Sequence, residues 1–237
     1  MRIPEPFFRL TGQLHRRYMR QWMCGERQVA LPWNFDNQAI FIHIPKTAGT
    51  SLLRTLRVEP DQNFLTHIPA EAYARQHPDL WRSAFKFTFV RDPRDRLVSI
   101  FHFLRDSTSW PAQQRWANKN LKGLKFPEFM NKLEGDPLYR QIVMSHPFFW
   151  PQSAYLREGS GLSGPKYARL DTMYRFENLS ADVALLSDQL GLPHTQLPHE
   201  RKTQRPETGT LFDDHANRLT AHLYRTDYAM FDYPSPT

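Results

Sequence analysis

Along the chain the apolar residues fall into two kinds of run. The first kind is continuous. Residues Ile40 to Ile44 are apolar or aromatic except His43, the pattern of a strand buried on both faces. Phe85, Phe87, Phe89 and Val90 form a second β-rich run that ends at Arg91, and Asn63–Thr66 is a shorter strand candidate. The second kind is spaced. Leu52, Leu53 and Leu56, then Leu97, Phe101 and Leu104, then Val183, Leu186 and Leu190 recur at helical intervals. Breakers punctuate them: Pro45 stops the first strand, Pro69 opens a helix to about Gln76, and Gly191 ends the helix carrying Leu190. A tail helix runs from Asp213 to Phe231, with Thr210 and Asp213 as a capping-box start, and a basic N-terminal helix is expected over roughly 12–28.

Composition narrows the class. A chain of 237 residues suits one α/β domain with an ample core. With 40% hydrophobic and 14% aromatic residues, the body is globular rather than disordered. A net charge of +7 favours anionic ligands. The single cysteine, Cys24, excludes an internal disulfide framework. No apolar run approaches the ~18 residues of a bilayer span, and Met1-Arg-Ile-Pro-Glu-Pro lacks the apolar stretch of a signal peptide.

The chemistry concentrates where the first strand breaks. Lys46-Thr-Ala-Gly-Thr-Ser51 is a small, hydroxyl-rich turn leading into a helix. A strand, a tight turn and a helix N-terminus present unpaired N–H groups to an anion, while Lys46 adds a mobile charge and Thr50 and Ser51 add hydroxyl donors. The spacing is not that of a Walker loop. The plainer alternative is a helix start merely capped by Thr or Ser.

Around the second strand, Arg91 stands at the end, Asp92 and Pro93 form a helix start, and Ser99 lies two turns into that helix. An anion beside the helix would meet both Arg91 and Ser99. Arg96 is expected to be structural, pairing with a carboxylate.

Taken together, His43-Ile-Pro-Lys-Thr-Ala-Gly-Thr-Ser51 and Arg91-Asp-Pro-Arg-Asp-Arg-Leu-Val-Ser99 resemble the two donor motifs of the sulfotransferases that use 3′-phosphoadenosine 5′-phosphosulfate (PAPS). The branch they resemble is that of carbohydrate sulfotransferases, including the heparan sulfate 2-O-sulfotransferases. The resemblance implies a single α/β domain with a P-loop-like open parallel sheet flanked by helices. It implies that Lys46, Thr47, Ala48, Gly49, Thr50 and Ser51 hold the 5′-phosphosulfate, while Arg91 and Ser99 hold the 3′-phosphate. It further makes His67, 24 residues before Arg91, the counterpart of the family's catalytic histidine. The heparan enzymes have another histidine two residues earlier, where this chain has Leu65.

Later segments carry the likeness more diffusely. Pro151–Leu156 resembles a segment near the acceptor cleft, which makes Gln152 and the nearby His146 candidate acceptor-lining residues; packing is the other reading of His146. Gly159–Gly164 is expected as a flexible loop. Asp171–Leu179 matches the family's late strand, and Arg201, Lys202 and Thr203 resemble a loop that closes over the nucleotide.

The mechanism implied is in-line sulfuryl transfer to an acceptor hydroxyl, expected on a carbohydrate. Lys46 neutralises charge on the leaving nucleotide, and His67 takes the acceptor proton. PAPS is the expected donor, with no metal and no nucleic-acid partner. Two alternatives are a P-loop kinase or NTPase and a non-catalytic polyanion binder. Residues 1–37 are expected as a helical extension and 38–237 as the sulfotransferase domain. Golgi relatives carry a membrane anchor, so a cytoplasmic, bacterial-type member is the expectation here.

Overall fold

The computed structural model describes residues 39–55, 67–161, 164–192 and 208–236. The expected helix near 12–28, the strand Asn63–Thr66, Leu56 and the loop Arg201–Thr203 lie outside them. The described residues divide into two compact units. One comprises those up to Arg91 together with Gln152 to Leu192; the other comprises Asp92 to Pro151 with 208–236.

In the first unit, β1 (Ala39–Ile42) is followed by helices α1 (Gly49–Thr55), α2 (Ala70–Gln76) and α3 (Pro78–Ser83), and then by β2 (Phe85–Val90). In the second unit come α4 (Pro93–His102), α5 (Pro111–Asn120), α6 (Phe126–Gly135) and α7 (Pro137–Ser145). The chain then returns to the first unit through α8 (Gln152–Tyr155), β3 (Arg157–Gly161), β4 (Gly164–Tyr167), β5 (Thr172–Arg175) and α9 (Leu179–Leu190). Helices α10 (Asp214–Leu223) and α11 (Arg225–Phe231) complete the second unit.

The first unit is built on a parallel sheet of order β1-β2-β5. Ala39 pairs with Phe85 and Ile42 with Thr88; on the other side Phe87 pairs with Thr172 and Val90 with Arg175. All four residues of β1 are fully buried, as an apolar run without alternation requires. Aromatic contacts knit the strands: Phe41 stacks on Phe87 at 5.1 Å, and Phe89 on Tyr174 at 5.0 Å. Because the strands are parallel, their carboxyl ends share one edge. That edge carries the Lys46 turn after β1, Arg91 after β2 and Phe176 after β5, the side on which open α/β sheets bind ligands.

Helix boundaries follow the local signals. Pro69 is the N-cap residue of α2, and Gly191, with φ 64°, ends α9 in the left-handed conformation that only glycine adopts without strain. The glycine-rich segment differs from expectation. Its described residues lie in the antiparallel strand pair β3–β4, and Glu158 accepts a hydrogen bond from Trp81 Nε1 at 2.8 Å and pairs with Lys166 at 3.1 Å.

In the second unit Asp92 caps α4, its carboxylate accepting from the backbone N–H groups of Arg94 and Asp95. Arg96 is buried, and its partners include carbonyls: it donates to Phe148 O at 2.9 Å and to Trp150 O at 3.0 Å. Tyr224 donates its hydroxyl to Phe149 O. Three successive carbonyls are thereby satisfied, which fixes the turn 147–150. The expected single tail helix is two, broken at the buried Tyr224; Asp213 caps α10, and Thr210 lies in a preceding 3₁₀ turn. No described helix is long and apolar enough to cross a membrane.

Candidate active site

The turn after β1 is held in an unfavourable conformation. Lys46 and Ala48 both have φ near 68°, a left-handed geometry costing roughly 1–2 kcal/mol for a residue with a Cβ. Such strain persists only where surroundings enforce it. Three contacts do so here. Thr47, fully buried, donates its hydroxyl to Ile44 O at 2.9 Å. Arg91 Nη1 donates to Lys46 O at 3.1 Å. The third is a close approach: a Cβ built on Gly49 would lie 2.0 Å from His43 Nε2, so only glycine fits beneath that ring.

A turn with left-handed residues leading into a helix N-terminus is the kind of backbone that can bind an anion. Leu52 N donates to Ala48 O, which makes Ala48 the N-cap residue of α1. Alanine brings no side-chain oxygen to that position, so the alternative of a helix start capped by Thr or Ser does not describe it. Lys46 is half-buried, Ser51 half-buried and Thr50 exposed. Thr47 commits its hydroxyl inside the turn, so that oxygen is not a ligand donor.

His67, half-buried, meets the same turn. Its Nδ1 lies 3.2 Å from His43 O, and the rings of His43 and His67 are 4.3 Å apart. A carbonyl can only accept, so Nδ1 carries the proton and Nε2 of the neutral ring keeps its lone pair.

Arg91 is 5% exposed and is held from three directions. Its backbone N–H donates to Gln152 Oε1 at 3.0 Å, and Gln152 Nε2 donates to Arg91 O at 2.8 Å. Its guanidinium lies 3.8 Å above the ring of Phe176. Lys46, His67, Arg91 and Gln152 thus converge within one unit.

Ser99 and His146 belong to the other unit. Ser99 is 9% exposed on α4. His146 packs against Trp116 at 4.4 Å and accepts from Phe148 N through Nδ1; burial lowers its pKa to about 4. Those surroundings are the ones packing predicts. Among the described residues no three His, Cys, Asp or Glu side chains gather as a metal site.

A family model described as the sulfotransferase family matches residues 34–234, which spans both units. The chain belongs to the sulfotransferase family. No curated protein and no solved structure matches it. Membership makes sulfuryl transfer the class of reaction and a hydroxyl-bearing molecule the acceptor, and it leaves the kinase and polyanion-binder alternatives without support.

In this sulfotransferase, sequence reasoning passed over His43, Phe176 and the contact Gln152 makes with Arg91. His43 left a signal, as the one polar residue in a buried strand run. Gln152, 61 residues from Arg91, left none.

Proposed function

We propose that this sulfotransferase takes its sulfuryl group from PAPS and transfers it to an acceptor hydroxyl, on a carbohydrate, with His67 as general base. The observation that carries the reading is the contact between His67 Nδ1 and His43 O. It ties the proposed base to the proposed anion turn and assigns the proton to Nδ1, which makes Nε2 the basic nitrogen of the neutral ring. The strained turn, Lys46 and the guanidinium of Arg91 form a positive edge that suits a ligand with two separate anionic groups.

When bound, PAPS supplies an activated sulfuryl group. The chain's own residues do the rest. Backbone N–H groups of residues 47–51 hold the 5′ anion, and Lys46 neutralises the charge that grows on the leaving nucleotide. Arg91 binds the 3′-phosphate through charge-assisted hydrogen bonds. His67 Nε2 accepts the acceptor hydroxyl's proton. His146 and Gln152 were candidates to line the acceptor; the surroundings of both instead support roles inside the protein.

Binding and turnover test this directly. 3′-Phosphoadenosine 5′-phosphate should raise the melting temperature far more than 5′-AMP or ATP with Mg²⁺. Labelled donor offered to a panel of glycans, phenols and lipids should mark the glycans. Equal stabilisation by all three nucleotides would remove the donor assignment, and labelling confined to a non-carbohydrate would remove the acceptor class.

A further inference from the structure

The ladder between β2 and β5 ends at the pair Val90–Arg175. One residue on, a side chain takes over from a strand. Gln152, fully buried, accepts from the N–H of Arg91 and donates to its C=O, as an adjacent strand would. A terminal amide is suited to this, because it places one acceptor and one donor side by side. The residue so gripped is the one whose guanidinium touches Lys46 O and lies on Phe176. A small shift of the main chain at Arg91 would move both of those contacts together.

We infer that Gln152 is a positioning residue for the donor site: its amide fixes the main chain at Arg91 and, through the Arg91 guanidinium, the carbonyl of Lys46 in the strained turn. This rests on the reading of Arg91 as the 3′-phosphate ligand. The anion turn and the 3′-phosphate contact then share one arginine, and its direction is set by a residue that touches neither phosphate. A purely structural Gln152 would alter stability alone. A positioning Gln152 alters discrimination between nucleotides with and without the 3′-phosphate.

Calorimetric titration of the full chain with 3′-phosphoadenosine 5′-phosphate and with 5′-AMP measures that discrimination as a ratio of affinities. Gln152→Met keeps the side chain's volume and removes both hydrogen bonds. It should lower the ratio at least about tenfold relative to wild type. Gln152→Glu gives an independent readout. As a carboxylate it accepts from Arg91 N–H but opposes Arg91 O, whereas its protonated form donates and restores the pair. Its ratio, referenced to wild type at each pH, should recover on acidification.

A folded Gln152→Met variant with the wild-type ratio overturns the inference. Should that variant fail to fold, a Gln152→Glu ratio that stays flat with pH overturns it and one that recovers supports it. A wild-type protein with no preference for the 3′-phosphate sinks the donor reading itself. That result differs from a preference that survives in the variants.

Discussion

His67 Nδ1 lies 3.2 Å from the carbonyl oxygen of His43, and Nε2 of His43 faces the Cα of Gly49 so closely that a Cβ there would lie 2.0 Å away. One buried histidine therefore orients the proposed base with its backbone and shapes the proposed anion turn with its ring. The histidine that continues β1 stands beside His67 and orients it through a carbonyl.

His67→Ala should lower turnover on the order of 10²–10⁴-fold, the usual contribution of a general base. Only the neutral ring accepts a proton, so wild-type turnover should fall on acidification. The variant should lose that acidic limb while binding 3′-phosphoadenosine 5′-phosphate as before. A pH–rate profile of both proteins checks it, and an unchanged acidic limb in His67→Ala would assign the base elsewhere.

Lys46→Ala should cost on the order of 10²–10³-fold in rate, by analogy with deleting one donor to a developing anion. The backbone strain at φ 68° is the same for alanine as for lysine. Melting temperature should therefore stay near wild type. Rate loss accompanied by a large drop in stability would mean that the lysine serves the fold and not the reaction.

Gly49→Ala should be far more damaging than its size suggests. The His43 ring cannot retreat easily, being 2% exposed and packed against Phe41 at 5.2 Å and His67 at 4.3 Å. Overpacking of this kind costs typically ~1–3 kcal/mol, and relief requires the turn or His67 to move. Denaturant unfolding and nucleotide titration should both register it. Wild-type behaviour in both would show that the ring yields after all.

His146 should make stability depend on pH. Burial lowers its pKa to about 4 in the folded protein, below the ~6.5 of an exposed imidazole. The unfolded chain then binds more protons between those values, so the contribution is fully present above 6.5 and is lost as pH falls toward 4. The span corresponds to on the order of 3 kcal/mol. Unfolding free energies at several pH values should show this loss, and His146→Phe should remove it. A His146→Phe protein with the wild-type pH dependence would assign the effect to other groups.

The sequence by itself determined what depends on neighbours in the chain. The buried β1 and the helices with Leu52, Leu97 and Val183 on their inner faces were legible from spacing. The Asp92 cap and the helix end at Gly191 were legible because each is local and each residue's chemistry suits its place; β1 ends at Ile42, before the stop that Pro45 suggested. Arg96 was legible as structural but not in its partners, since carbonyls 52 and 54 residues away carry no sequence mark. The strand pairing of β3 with β4 was missed because glycine allows many conformations, and the contacts of Glu158 with Trp81 and Lys166 come from outside the glycine run. Only the tertiary structure decided that Gln152 grips Arg91, that Arg91 reaches Lys46, and that His43 stands between His67 and Gly49. Those relationships depend on which strand ends share an edge of the sheet, and strand order is set by packing between segments far apart in the chain.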